Sequence, residues 1–121
     1  MSVTYVTATK TARLDATRLD VVSGTLEIGT AGMAAVLATF DLTATAGTVT
    51  DDTWTLEFDL STVTATGAGV AAAARIRDSV SGDVITGPTV ATSAADINLD
   101  NVNINTGQEI TLNSASIQHA A

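Results

Sequence analysis

Apolar and polar residues alternate along most of this chain, and a period of two is typical of strands with one buried face. The clearest case is the segment of residues 53–60. Its apolar positions, which we expect to face a core, are Trp54, Leu56, Phe58 and Leu60. Residues 36–43 alternate in the same way. Turn-rich segments separate these stretches at intervals that are typical of a sandwich or a barrel.

Residues 70–77 and 84–90 predict a β-hairpin, because the Asp, Ser and Gly residues between them favour a turn. In the first strand, the positions expected to face the core are Val70, Ala72, Ala74 and Ile76. Arg75 and Arg77 are expected on the opposite face, where they would pair with acids of neighbouring strands or contact another subunit. Pro88 indicates that the returning strand lies at a sheet edge.

Two further strand segments are predicted over residues 94–105 and 109–117. Their apolar positions change phase near Asn101 and again near Asn113, and each change predicts a turn or a β-bulge. Together, the segments predict a mainly β fold. We expect an antiparallel β-sandwich or barrel of about seven to nine short strands with one N-terminal amphipathic helix.

The helix is predicted over residues 10–22. Its apolar positions, which share one side and are expected to pack on the sheet, are Ala12, Ala16, Leu19 and Val22. Asp15 and Arg18 are three residues apart and would pair on the exposed side. Gly24 stands where a glycine commonly ends a helix. The alternative interpretation is that this basic helix docks on an acidic neighbouring subunit.

The 121 residues are predicted to form one domain, with an N-terminal arm and helix in residues 1–24 and the sandwich in residues 25–118. Its core has few large side chains, since the chain contains 21 alanines and 22 threonines but only four aromatic residues. Thin layers of small side chains favour a sandwich that self-association stabilises. Cysteine is absent, so no disulfide contributes to the fold.

The charge balance excludes two classes of partner. With 13 acidic and 5 basic residues the formal net charge is -8, whereas binding to nucleic acid or to an anionic membrane requires clustered bases. The N-terminus lacks the pattern of a signal peptide, and no apolar run approaches the roughly 20 residues of a transmembrane helix. We therefore expect synthesis in the cytoplasm without a signal peptide.

Two motifs resemble ligand sites but lack necessary parts. Residues 96–101 begin like a calcium loop, yet Asn101 and Gly107 occupy the positions where an EF-hand needs Gly and Glu. We interpret these residues as the polar face of a strand, with a different calcium site as the alternative. Residues 67–72 match G-x-G-x-x-A, but a strand-like alternation follows them instead of the helix that a dinucleotide site requires.

No catalytic constellation is recognisable. His119 is the only histidine, so no Ser/His/Asp triad can be assembled with a second base of that type. The carboxylate pairs Asp51/Asp52 and Glu57/Asp59 fall in a turn and on a polar strand face, where nothing would raise a pKa for acid catalysis. We predict that the protein is not an enzyme and that it uses no cofactor and no metal.

Residues 69–79, 81–85, 90–99 and 106–112 follow one another in an order that resembles a family of small phage and prophage virion proteins. The resemblance extends over residues 12–117 and includes the helix and the strands near residues 24–28 and 37–40. The chain departs from the family pattern at Ala74, where an aromatic residue is expected. It also departs at residues 30–35, where a longer loop containing proline is usual.

The resemblance implies a structural role in the virion. We predict a capsid decoration (cement) protein, a homo-oligomer and preferably a trimer, that binds the outer surface of the major capsid protein lattice or another virion protein and stabilises the shell. The residues expected to make contacts are Val3, Tyr5, Lys10, Arg13 and Arg18. One alternative is a tail, head–tail connector or fibre component. From another class, a calcium- or glycan-binding β-sandwich module is the alternative, although few aromatic side chains are available for a glycan.

Overall fold

The computed structural model describes residues 5–80 and 82–118. It confirms a mainly β, sandwich-like fold with one α-helix near the N-terminus. The described part of the chain contains twelve strands, more than expected, because seven of them are only two or three residues long. The helix α1 is Thr7–Asp20. The strands are β1 Thr25–Gly29, β2 Val36–Asp41, β3 Thr48–Thr50, β4 Thr53–Thr55, β5 Thr62–Thr64, β6 Gly69–Val70, β7 Ala73–Arg77, β8 Asp83–Thr86, β9 Val90–Ala91, β10 Ile97–Leu99, β11 Asn103–Ile104 and β12 Glu109–Gln118.

The first sheet has the strand order β2-β1-β7-β8, and all its pairs are antiparallel. The predicted hairpin is confirmed as the β7–β8 pair. Two of its expected core positions are wrong, because Val70 and Ala72 are exposed and Ala71 is buried instead. The reason is that Val70 belongs to β6, which pairs with β11 in a separate small sheet, so the alternation restarts at β7.

The second sheet has the strand order β3-β4-β12-β10-β9, and β5 also pairs with β12. Strand β12 is its longest member, with β5 and β4 on one edge and β10 on the other. Leu99 pairs with Leu112 and Asn98 with Ser114, so Asn113 is the extra residue of the predicted bulge. Because the bulge shifts the phase by one residue, Leu112 and Ala115 are both buried.

Strand β4 ends earlier than predicted. Trp54 and Leu56 are buried as expected, but the chain then leaves β12 and crosses to the end of β2, where Phe58 forms an antiparallel bridge with Leu42. Leu60 follows this crossing and is 66% exposed, so its predicted core position is wrong. Pro88 lies between β8 and β9, each at the edge of a sheet, which confirms the edge position inferred from the proline.

The helix packs through a different side from the predicted one. Leu14 and Val21 are buried, whereas Ala12, Ala16 and Leu19 are exposed. Of the predicted positions, Val22, which lies beyond the end of α1, does pack against the core. Leu14 is the large apolar side chain in the middle of α1 and removes more apolar area from water than an alanine can. Hydrogen bonds from the same side of α1 fix this rotation. The Thr11 hydroxyl donates to the Asp51 carbonyl, and the Arg18 guanidinium donates to the Thr45 carbonyl.

One hydrophobic cluster joins the helix and the two larger sheets. Its largest side chain is Trp54, which is fully buried and donates its Nε1–H to the Ala46 carbonyl at 2.8 Å. Phe40 is also fully buried and packs edge-on against Phe58, with the ring centroids 5.9 Å apart. Within residues 5–80 and 82–118 there is no helix whose length and apolar character would let it cross a lipid bilayer.

Candidate interaction surface

Two of the predicted contact residues lie together at the N-terminal end of α1. The Arg13 guanidinium carbon is 4.3 Å from the centroid of the Tyr5 ring, a cation–π arrangement. Arg13 is exposed, and Tyr5 is 37% exposed. The guanidinium therefore lies over the Tyr5 ring and, because Arg13 is exposed, remains accessible to a carboxylate. This is the geometry of an arginine that is positioned before a partner arrives.

The other predicted contact residues lie elsewhere. Lys10 is half-buried and faces Asp52. A hydrogen bond from Gln118 lowers the pKa of Asp52 below its ordinary value, and the Lys10 charge adds to this effect. Arg18 is half-buried, with its Nε 2.9 Å from Asp15 Oδ1, so the predicted pair forms. Its predicted place on the exposed side is wrong, because Arg18 also donates to the Thr45 carbonyl on the packed side of α1. Val3 lies outside the described residues.

The exposed side of α1 carries apolar side chains that the rest of the chain leaves uncovered. We call this surface the outer helix face and define it as Ala8, Ala12, Arg13, Ala16 and Leu19, all of which are exposed. Leu19 alone has 59% of its surface in water. Alanines spaced four residues apart along a helix let another backbone approach closely. The apolar stripe that the sequence analysis assigned to the core is therefore a surface feature.

An acidic corner lies where β2 ends. The Leu42–Phe58 bridge is antiparallel, and the Asp59 N–H donates to the Asp41 carbonyl at 3.0 Å. Asp41 and Asp59 are thus cross-strand neighbours, and both are exposed. Like charges in that relation destabilise a strand pair. We define the acidic corner as Asp41, Glu57, Asp59 and Leu60; among the described residues, none of its three carboxylates has a cation within 4.0 Å.

The acidic corner was missed in the sequence analysis because it depends on a contact between distant segments. The alternation predicts that Glu57 and Asp59 face solvent, and the structure agrees. What the alternation lacks is the crossing that brings residues 57–59 beside the end of β2. The only local signal would have been the excess of acids in residues 51–59 together with the scarcity of nearby bases.

The two arginines of β7 are paired within the chain. Glu27 of β1 accepts a hydrogen bond of 2.5 Å from Arg75 Nε and lies 3.6 Å from Arg77. Asp83 of β8 is 4.0 Å from Arg75 and 3.0 Å from Arg77 Nε, and the latter contact is ionic without hydrogen-bond geometry. This arrangement corresponds to the intrachain pairing that the sequence allowed. Two cations and two carboxylates balance, so the cluster presents little net charge.

A half-open cavity of about 340 Å³ lies beside this cluster. Met33, Ala73 and Thr86 contribute to its wall, together with Arg75 and Asp83. The charged members already bond to one another or to Glu27. The wall offers neither a histidine nor a cysteine as a base or nucleophile. The cavity therefore shows no arrangement of groups that points to a reaction.

The side chains of the calcium-like segment organise their own loops. Asp96 accepts a hydrogen bond from the Thr89 N–H, and Asp100 accepts one from the Thr111 N–H. Asn98 accepts from the Ala95 N–H and donates to the Ala95 carbonyl. In the part of the chain that the structure describes, no group of three or more His, Cys, Asp or Glu side chains is placed to hold a metal ion.

The glycine motif has the strand context that the sequence predicted. Gly69 and Val70 form β6 and pair with β11, and no helix begins after them. The helix N-terminus that would bind a pyrophosphate is thus absent from this described segment. His119 lies outside the described residues. No family model, curated protein or solved structure matches this chain.

Proposed function

We propose that this protein is a structural component of a phage virion, a decoration protein that binds the outer surface of the capsid lattice and stabilises it. The resemblance of residues 12–117 to small virion proteins supports this role. The observation that carries it is that some polar groups of the described surface bond within the chain, whereas others are left facing outward. Asp96, Asp100, Arg75 and Arg77 bond within the chain, whereas the outer helix face and the acidic corner present apolar and charged groups outward.

The proposed mechanism is additive contact over a lattice. Each copy binds through a small surface, which includes Val3, Tyr5 and Lys10 in the N-terminal segment. A single contact of this kind is weak, but an oligomer engages several capsid subunits at once, and its overall affinity exceeds that of one contact by avidity. Bridging neighbouring capsid subunits resists the outward pressure of the packaged genome. The high negative charge keeps the unassembled protein soluble at high copy number.

The experiment compares particles that lack the protein with particles that contain it. Particles are produced from a phage genome that carries this gene intact or deleted, and the temperature at which DNA becomes accessible to a dye is measured. We expect release at a lower temperature without the protein, and recovery when the purified chain is added back. The Lys10→Glu variant should restore less, whereas Glu109→Gln, a change at an exposed acid on β12, should restore fully.

Three results would contradict the proposal. Equal heat and osmotic tolerance of the two kinds of particle would exclude a cement role. An electron microscopic label on the tail, the connector or a fibre, with none on the shell, would move the protein to the alternative position in the virion. Absence of the protein from purified particles would reject the structural role altogether.

A further inference from the structure

Opposite charges are segregated on this molecule. Helix α1 carries three bases and two acids, so the remaining sequence has only two bases against eleven acids. Those two bases, Arg75 and Arg77, are paired within the chain. Arg13 therefore stands out among the described residues as an exposed cation without an ion pair. The acidic corner is its counterpart, with three exposed carboxylates that lack a cation.

We propose that the outer helix face of one copy packs on the acidic corner of a second copy of this chain. In this contact the Arg13 guanidinium lies between Asp41 and Asp59 of the second copy. The exposed leucines of the two surfaces, Leu19 and Leu60, lose water at the same interface. The inference deepens the proposed function, on which it rests for its biological purpose, by naming the surfaces that hold the oligomer together.

The electrostatics favour this arrangement from both sides. Asp41 and Asp59 repel each other across the strand pair, and a guanidinium between them replaces that repulsion with two attractions. Arg13 is already oriented over the Tyr5 ring, so its side chain loses little conformational freedom on binding. Arginine and tyrosine are also the residue types that most often contribute binding energy at the centre of interfaces.

The shape of the helix face suits the same partner. Ala8, Ala12 and Ala16 have only a methyl group as side chain. The backbone at the acidic corner of the second copy can therefore approach α1 closely. Leu19 is 59% and Leu60 66% exposed, and covering both adds apolar burial next to the ionic contact. Every copy carries both surfaces, so each outer helix face can find one acidic corner on another copy.

The symmetry follows from the difference between the two surfaces. A contact between unlike surfaces is heterologous and repeats from copy to copy until it closes into a ring or continues as a filament. A closed ring of three is the form that agrees with the predicted trimer. A two-fold dimer would form instead if the outer helix face of each copy met the acidic corner of the other within one interface.

The test is a charge swap in the full-length purified chain, without capsids. Molar mass is measured by sedimentation and light scattering over a concentration series. Wild type is expected to form a ring. Arg13→Asp and Asp59→Arg should each weaken association roughly tenfold or more. The double variant Arg13→Asp/Asp59→Arg should associate again, because the swapped charges then meet at every contact of the ring. Glu109→Arg is the matched reversal at an exposed acid outside both surfaces and should associate like wild type.

Circular dichroism of each variant separates lost association from lost folding. A monomeric wild-type protein at all concentrations overturns the inference, as does association that neither reversal weakens. A dimer that Arg13→Asp disrupts and Asp59→Arg leaves intact indicates helix–helix pairing and also overturns it. These outcomes are distinct from failure of the proposed function, because a ring can form in solution although particle stability is unchanged by the protein.

Discussion

The burial of Trp54 provides the sharpest test of the fold. Its side chain is fully buried, and its Nε1–H donates to the Ala46 carbonyl at 2.8 Å. Trp54→Phe keeps an aromatic ring but leaves that carbonyl without its donor, which together with the smaller ring should lower the free energy of unfolding by about 2 kcal/mol. Trp54→Ala also removes the ring and should cost about 3–5 kcal/mol.

The assay is urea unfolding followed by circular dichroism. Fluorescence cannot follow the two Trp54 variants, because Trp54 is the single tryptophan of the chain. Val80→Ala is the control, since Val80 is 83% exposed and lies outside both proposed contact surfaces, so its truncation should change the free energy of unfolding by less than about 0.5 kcal/mol. A Trp54→Phe protein as stable as wild type would show that the bond to Ala46 contributes nothing. A cost below about 1 kcal/mol for Trp54→Ala would place Trp54 outside the core and refute the packing described here.

Two further predictions concern a turn and a carboxylate. Gly47 has a φ of +106°, and a Cβ there would lie 2.0 Å from the Thr55 carbonyl oxygen, so Gly47→Ala should cost more than about 4 kcal/mol in thermal unfolding. Gly107 also has a positive φ, +87°, but a Cβ there would have no atom within 4 Å, so Gly107→Ala should lower the free energy of unfolding by only about 1–2 kcal/mol. If the two substitutions cost the same, the clash at Gly47 does not occur. The hydrogen bond from Gln118 lowers the pKa of Asp52 below its ordinary value of 3.8. The ionised carboxylate therefore stabilises the fold at any pH above 3.8, and this stabilisation is lost as the pH falls through the lowered pKa. Gln118→Ala should raise that pKa in an NMR titration, whereas Asn113→Ala should leave it unchanged; no rise would contradict the assigned cause.

The strands were predictable because alternation is a local signal. It located β2, β4, β7 and β12, and even the bulge at Asn113, since one extra residue visibly shifts the apolar phase. The signal fails where a strand ends for a tertiary reason. Leu60 continues the alternation of β4, yet it is exposed because the chain has already crossed to the first sheet.

The rotation of α1 shows a second limit of local patterns. Ala12, Ala16 and Leu19 give the longer apolar stripe, and a helical wheel favours it. The folded chain instead buries Leu14 and Val21, because hydrogen bonds from the same side reach the loops near β3 and β4. Bonds of this kind join residues far apart in sequence, so periodicity cannot reveal them.

The candidate surface was predictable in part for the same reason. The concentration of bases in α1 is visible in composition, and it led to Arg13 and Tyr5. Which of those bases the fold pairs internally depends on tertiary contacts, and Arg18 lies on the packed side beside Asp15 and Thr45. The acidic partner surface requires the Leu42–Phe58 bridge, which no local pattern encodes.

The net charge is compatible with the proposed self-association, because the two act over different distances. A charge of -8 on every copy is a repulsion that physiological salt screens beyond a Debye length of about 8 Å. An arginine in contact with two carboxylates lies well inside that distance and is screened much less. The same composition can therefore keep distant copies apart and hold adjacent ones together. The fold pairs Arg75 and Arg77 internally and leaves Arg13 exposed, so Arg13 is the arginine available for the proposed contact with another copy.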